Sequence, residues 1–299
     1  MRTVVIGGTG HIGTYLVPRL VLSGHEVVVV SRGSREAYLS DPAWQQVERV
    51  TLDRETLESK GEFGNAIARL EPEKVVDLIC FTRESGEQLV EALRGRVQHY
   101  LSCGTIWVHG HSEAVPTTEA APRKPFGEYG IHKAELEEYL LGVSRKERFP
   151  ATTIHPGHIV GKGWAPLNPE GHFDTSLWLR IAAGEKLLLP NLGLETVHHV
   201  HADDVARLFI AAMERWSVSV GESFHAVSPQ AVTLRGYAEA AFRWYNREPN
   251  IEFLPWPQLR ERIDKRAAGF VWDHIAHSPS CSIQKARAML AWEIGRAHV

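Results

Sequence analysis

Thr3-Val4-Val5-Ile6 runs into Gly7-Gly8-Thr9-Gly10-His11-Ile12-Gly13, and this junction constrains the fold more than any other stretch of the chain. The β-branched run reads as a buried strand. Ile12, Leu16, Val17, Leu20 and Val21 then recur at helical spacing, Gly24 supplies a C′ residue, and Val27 to Val30 forms a second apolar strand. The unit has the βαβ length that a dinucleotide fold requires. Each glycine has a physical task. One permits the strand-to-helix turn, one lets backbone approach a pyrophosphate, and one lets helix pack on strand. Gly7, Gly10, His11, Ile12 and Gly13 are therefore expected to hold a nucleotide on the open N–H groups of the helix. Pro18 lies inside that helix and is expected to kink it.

Strand and helix patterns keep alternating: strands at Val47–Leu52, Lys74–Cys80 and Gln98–Ser102, helices at Phe63–Leu70 and Leu89–Leu93. The expected class is α/β, a doubly wound parallel sheet of the Rossmann type over residues 1–160. A smaller, interleaved C-terminal substrate domain is expected over 161–299, with a helix near 203–215 returning to the first. The second strand ends in Ser31-Arg32-Gly33-Ser34-Arg35. An NAD site wants an acid there for the ribose 2′-hydroxyl; a hydroxyl and two arginines suit a 2′-phosphate. Ser31, Arg32 and Arg35 thus favour NADP over NAD, with a solvated turn as the plainer alternative. Asp53 follows the third strand, where it can accept from an adenine amino group. Cys80 and Phe81 end the fourth strand, and ligands of open parallel sheets lie beyond such ends. Cys80 itself reads as a small buried hydrophobe rather than a reactive thiol.

Tyr129 and Lys133 stand four apart at the start of a helix carrying Ala134, Leu136, Leu140 and Leu141, so they share a face. A phenol with a reference pKa near 10 is a poor base at neutral pH. A neighbouring ammonium and a cationic nicotinamide favour the phenolate. Thr105, at the end of the fifth strand, is placed to hydrogen-bond the oxygen of a reacting alcohol or carbonyl. By spacing alone, an exposed helix face carries Tyr and Lys as readily.

Gly7-x-x-Gly10-x-x-Gly13, Thr105, Tyr129-x-x-x-Lys133, His155-Pro156-Gly157-His158-Ile159-Val160-Gly161 and Val200-His201-Ala202-Asp203-Asp204-Val205-Ala206 together resemble the extended short-chain dehydrogenase/reductases, the NAD-dependent epimerase/dehydratase family. The resemblance covers most of the chain. It implies Tyr129 as catalytic acid/base, Lys133 as the group that lowers its pKa and holds the nicotinamide ribose, and Thr105 as the polarising hydroxyl. It implies that the turn of Pro156, His158 and Ile159 contacts the carboxamide, that Trp107, Trp164, Asn168, His172 and Asn191 are candidates to touch substrate, and that a homodimer forms through 84–93 and 128–141. Ile106 and Trp107 stand where the family's sugar-nucleotide dehydratases carry Asp-Glu, which argues against water elimination.

With 43% hydrophobic and 23% charged residues, composition is that of an ordinary globular protein, and a net charge of −3 gives no basic face for nucleic acid. No apolar run reaches a membrane span, and three unpaired cysteines suit a reducing cytoplasm. Glu195 to His201 alternates as one strand, and Asp203 or Asp204 reads as the cap of the next helix. The histidines of that strand, with His155, His158 and His172, lack the carboxylate–histidine helix pair of a metalloprotease, and no metal is assigned. The expected function is NAD(P)-dependent hydride transfer at a secondary alcohol or ketone of a small molecule, whether epimerisation or net reduction. A cofactor-gated RNA-associated or regulatory protein on the same fold is the alternative. The tail 295–299 carries no functional reading.

Overall fold

A computed structural model describes residues 1–295, so most of that tail, 296–299, lies outside the described residues. The chain begins with β1 (Arg2–Ile6), α1 (His11–Leu22) and β2 (Glu26–Ser31), followed by a 3-10 turn and β3 (Glu48–Thr51). α2 (Arg54–Glu58), α3 (Phe63–Ala68), β4 (Lys74–Asp77), α4 (Arg83–Leu93) and β5 (His99–Cys103) continue the alternation. After a 3-10 turn at Ile106–His109 come α5 (Glu128–Glu147), β6 (Ala151–Pro156) and β7 (His158–Val160). The remainder comprises α6 (Ser176–Ala183), β8 (Leu187–Pro190), β9 (Thr196–Val197), β10 (His199–His201), α7 (Ala202–Glu214), α8 (Trp216–Ser219), β11 (Ser223–Ala226), β12 (Val232–Thr233), α9 (Leu234–Trp244), β13 (Ile251–Leu254), α10 (Trp256–Leu259), α11 (Lys265–His277) and α12 (Gln284–Leu290).

Seven strands form one parallel sheet in the order β11-β6-β5-β4-β1-β2-β3. Strand order reverses direction between β1 and β4, where Ile6 lies opposite Asp77. Chains leave those two strands toward opposite faces, and the crevice between them is where such a sheet takes a ligand. Fully buried strands on a two-faced sheet read as continuous apolar runs, as in Val27–Val30. One face is covered by α1 and α7, with Val5, Leu16, Phe209 and Phe224 in its core. The other is covered by α3, α4 and α5, with Val4, Phe63, Leu89 and Leu140. A separate apolar core, built from Leu177, Leu187, Leu189, Tyr237, Phe242, Val271 and Ile275, serves the segments between residues 167 and 275.

Several sequence expectations are corrected here. α1 runs unbroken through Pro18 to Leu22. Glu195 to His201 is two short strands, because β9 pairs with β12 and β10 with β7. The cap of α7 is neither aspartate: His201 Nδ1 accepts from the Asp203 N–H at 3.1 Å, leaving the Asp203 carboxylate to bind Arg19 at 2.6 Å. That ion pair ties α1 to α7. Residues 249–257 contain β13 and the start of α10. Among the described residues, no helix is long and apolar enough to cross a membrane.

Candidate active site

The glycine turn is shaped by contacts that exclude side chains. Gly7 has φ +81, and a Cβ there would lie 2.8 Å from the Ile79 side chain. A Cβ on Gly13 would lie 2.1 Å from the Gly8 carbonyl oxygen, so the start of α1 can approach the turn only without one. Gly10 precedes α1 with no side-chain cap, which leaves the first N–H groups of the helix open toward the crevice. A cleft of about 560 Å³ opens there, lined by Gly7, Gly10, Ser31, Arg32, Arg35 and Asp53 among others, and by Phe81 and Thr82 at the far end. Its volume and its combination of helix N-terminus, arginines and an acid beyond β3 fit a dinucleotide. Arg35 reaches over the turn, with its guanidinium 4.0 Å from where a Gly10 Cβ would be and hydrogen-bonded to the Tyr38 hydroxyl at 2.9 Å. Asp53 is exposed and caps α2 by accepting from the Thr56 N–H at 2.8 Å. His11 is buried, stacks on Trp164 at 4.8 Å, and neither ring nitrogen has a hydrogen-bond partner among the described residues. Burial, with His201 nearby, pushes its pKa down to about 4, so it is neutral.

Beneath the cleft Asp77 is fully buried and accepts from Arg54 at 2.9 Å and from the Tyr100 hydroxyl at 3.2 Å. Cys80 is fully buried and its thiol is pushed up to about 12, so this sulfur is a packed hydrophobe, not a nucleophile.

Tyr129 and Lys133 occupy successive turns of α5. Lys133 is 2% exposed, and its ammonium donates to the carbonyls of Cys80 at 2.5 Å and Cys103 at 2.7 Å, bridging the ends of β4 and β5. It lies 4.7 Å from the Phe81 ring centroid and 5.9 Å from that of Tyr129. Burial lowers the Lys133 pKa, because an ammonium loses hydration there. Tyr129 is 43% exposed, yet the protein packed round it raises its pKa above the ordinary value. The nearby Thr105 hydroxyl opposes that rise. Thr105 Oγ1 also accepts from the Trp107 N–H at 3.3 Å as the cap of the 3-10 turn, which leaves its own proton for an oxygen in front of it.

The substrate side of Tyr129 is a wall of rings. Trp107 meets Tyr129 edge-on at 5.9 Å and stacks on His277 at 4.1 Å. Phe126 stacks on His277 at 4.0 Å and on His111 at 4.3 Å. His274 adds an edge contact to Trp107 at 5.0 Å and lies 5.4 Å from His158. Burial lowers the pKa of three of these imidazoles: His274, His277, which is pushed down to about 4, and His158, which falls well below its ordinary value. His158 Nδ1 accepts from the His198 N–H at 3.2 Å, so its Nε2, which has no partner, carries the proton. Sequence reasoning missed His111, Phe126, His274 and His277. Three of the four stand on or beside α11, an element it did not identify.

Other substrate candidates are placed differently. Asn168 is corrected: fully buried, it holds its own loop through Glu170, His172 and Asp174 and presents nothing to a ligand. Asn191 is likewise committed, to Glu195 at 2.5 Å and the Trp256 N–H at 3.1 Å. Trp164 belongs with His11 and Tyr38 at the glycine turn, not beside Tyr129. His172 contacts Glu170 at 3.2 Å and borders a side pocket with Asp174, Asp264 and Phe270. Among the described residues, no group of three His, Cys, Asp or Glu side chains is arranged to hold a metal.

Known proteins resemble this arrangement. The chain is 28% identical over 88% of its length to a 2′-dehydrokanamycin reductase of Streptomyces kanamyceticus, of which the match spans 66%, just under two thirds. It is 26% identical over 98% of its length to chloroplast stem-loop binding protein of 41 kDa b of Arabidopsis thaliana, spanning 75% of that protein. A solved UDP-glucose 4-epimerase with UDP-glucose from Thermotoga maritima superposes with TM-score 0.74 at 21% identity, covering 99% of this chain and 94% of that one, which shows the fold. The model of the NAD dependent epimerase/dehydratase family matches residues 3–225. The chain therefore belongs to the NAD dependent epimerase/dehydratase family, enzymes of the extended short-chain dehydrogenase/reductase type.

Proposed function

We propose that this protein transfers hydride between NADP and a secondary alcohol or ketone carbon of a small, sugar-like substrate, as an epimerase or a net reductase. The observation that carries the reading is a phenol, a buried ammonium and a strand-end hydroxyl brought together beside the C-terminal ends of β4 and β5: Tyr129, Lys133 and Thr105. The nicotinamide supplies the hydride acceptor and a positive charge. Tyr129 exchanges the hydroxyl proton of the substrate, and Thr105 donates to the same oxygen as charge develops on it. Packing raises the Tyr129 pKa, so a positive charge bound beside it would favour the phenolate. Lys133, held by two carbonyls, positions the ribose and adds to the positive field. Gly7 to Gly13 hold the pyrophosphate, with Pro156, His158 and Ile159 at the carboxamide. Trp107 and the neutral imidazoles give a face on which an uncharged hydroxylated ring can stack and hydrogen-bond.

Ser31, Arg32 and Arg35 support NADP over NAD. Direct binding of NADP and NAD to wild type, Arg32→Ala and Arg35→Ala tests this. Each substitution is expected to weaken NADP by about tenfold, the loss of one hydrogen bond to a charged group, and to leave NAD nearly unchanged. Tighter binding of NAD by wild type contradicts it. Turnover of free cofactor with substrate then marks a reductase; interconversion without net cofactor change marks an epimerase. The stem-loop binding relative supports a second reading, in which tight RNA binding persisting at physiological salt replaces turnover. A homodimer through α4 and α5 is proposed with the first reading, and a solution mass of one chain contradicts it.

A further inference from the structure

A chain of buried groups behind Thr105 has no part in the chemistry so far. The Thr105 N–H donates to His155 Nδ1 at 2.9 Å. An amide can only donate, so Nδ1 is bare and the neutral ring carries its proton on Nε2, which faces Glu137 Oε1 at 2.9 Å. Glu137 is clamped by Arg123, with Nη2 at 2.6 Å and Nε at 2.8 Å. His155 is fully buried and Glu137 is 2% exposed. Burial works against it, but the hydrogen bonds from Arg123 and His155 and the Arg123 charge hold the Glu137 pKa below its ordinary value, so the carboxylate stays ionised and fixes the tautomer of His155. The ring is also wedged against the strand end, since a Cβ on Gly104 would lie 2.4 Å from His155 Nδ1.

Glu137 stands on α5 one turn beyond Lys133, which stands one turn beyond Tyr129. Both ends of the Cys103–Thr105 segment are therefore tied to the helix that carries the phenol: the Cys103 carbonyl through Lys133, the Thr105 amide through His155 and Glu137. We propose that His155, oriented by Glu137 and Arg123, is a positioning residue that holds Thr105 in register with Tyr129, so that the threonine hydroxyl meets the phenol oxygen. The inference rests on the assignment of Thr105 under the proposed function. Thr105 has extended backbone angles, φ −160 and ψ 149. The Trp107 N–H holds its hydroxyl oxygen, and the amide bond to His155 holds its backbone.

The two imidazole nitrogens can be separated by substitution. Asn at 155 keeps an acceptor near the Nδ1 position and loses the reach to Glu137; Gln reaches the Nε2 position and loses the acceptor for Thr105. Protein labelled with 13C at tyrosine Cζ, with the Tyr129 signal assigned by Y129F, reports the hydrogen bond at the phenol without any substrate or cofactor. T105A defines the displacement that loss of the threonine hydroxyl produces. H155Q is expected to reproduce most of that displacement, H155N to move the signal by less because it loses only the Glu137 link and keeps the acceptor for Thr105, and H155Q with T105A to move no further than T105A alone. Where substrate turnover is assayed, H155Q is expected to lower kcat by about tenfold to a hundredfold with little change in KM, the effect of a small misplacement. If T105A moves the signal and H155Q does not, or if H155N and H155Q move it equally, the positioning role is wrong while the catalytic reading stands. If T105A itself leaves the signal in place, both fall. Should H155Q not fold, R123Q releases Glu137 from the other end and must shift the signal in the same direction; no shift overturns the proposal.

Discussion

Thr105 shows how one residue serves structure and chemistry together. Its oxygen caps a 3-10 turn and, under the proposed function, its proton serves the substrate oxygen, so losing the hydroxyl removes one donor from the developing charge. Thr105→Val is expected to lower kcat by about 10²–10³ with cofactor affinity unchanged, read by steady-state kinetics and direct binding; a loss under threefold contradicts the role. The residues legible in the sequence were those whose type and spacing do the work locally: the glycines, whose lack of Cβ the turn requires, and Tyr129 with Lys133, four apart on one helix. What was not legible depended on three-dimensional neighbours. The two carbonyls that hold the Lys133 ammonium, those of Cys80 and Cys103, come from strand ends, and the packing that raises the phenol comes from the fold around it. Asn168 and Asn191 have ligand-binding side chains by type, and both are consumed by their own loops.

At the scale of elements, the β1–α1 turn is the stiffest requirement. Gly13→Ala places a Cβ 2.1 Å from the Gly8 carbonyl oxygen, backbone that cannot yield without opening the turn. The variant is expected to lose about 3 kcal/mol or more of stability and to lose nucleotide binding, measured by denaturant melts and direct titration. A variant with native stability would show that α1 can move away from the turn. The sheet was readable because strands buried on both faces are apolar throughout, and helices on a sheet repeat every three to four residues. The segments after β7 were read poorly, since β9, β12 and β13 are short and take their partners from far along the chain. α11 was nonetheless signalled: Asp264 caps it by accepting from the Arg266 and Ala267 N–H groups, and Ala267, Val271 and Ile275 are spaced four apart. Reading that pattern would have brought His274 and His277 to attention before any coordinates.

At the scale of the molecule, burial of neutral imidazoles sets the response to acid. His11, His109, His198 and His277 are pushed down to about 4 and His99 to about 3, chiefly by desolvation of the charged form. The unfolded chain protonates these groups near 6.5 while the folded chain does not. It therefore binds more protons across the window from about 6.5 down to 4, and stability falls as pH falls through it. Each such histidine contributes at most about 1.4 kcal/mol per pH unit there. Thermal melts from pH 8 to 4 are expected to show a plateau above 7 and a steep decline below 6; a flat profile to pH 4.5 contradicts the neutral burial of these rings.

The same parallel sheet that sets a crevice between β1 and β4 delivers Tyr129, Lys133 and Thr105 to the C-terminal ends of β4 and β5, one strand away. That convergence is the centre of the account, and a structure of the protein with NADP bound tests it most directly. The nicotinamide C4 is expected within about 4–6 Å of the Tyr129 hydroxyl, close enough for one substrate carbon and its oxygen to bridge them. A nicotinamide lying away from Tyr129, or a protein that binds neither NADP nor NAD, would contradict it.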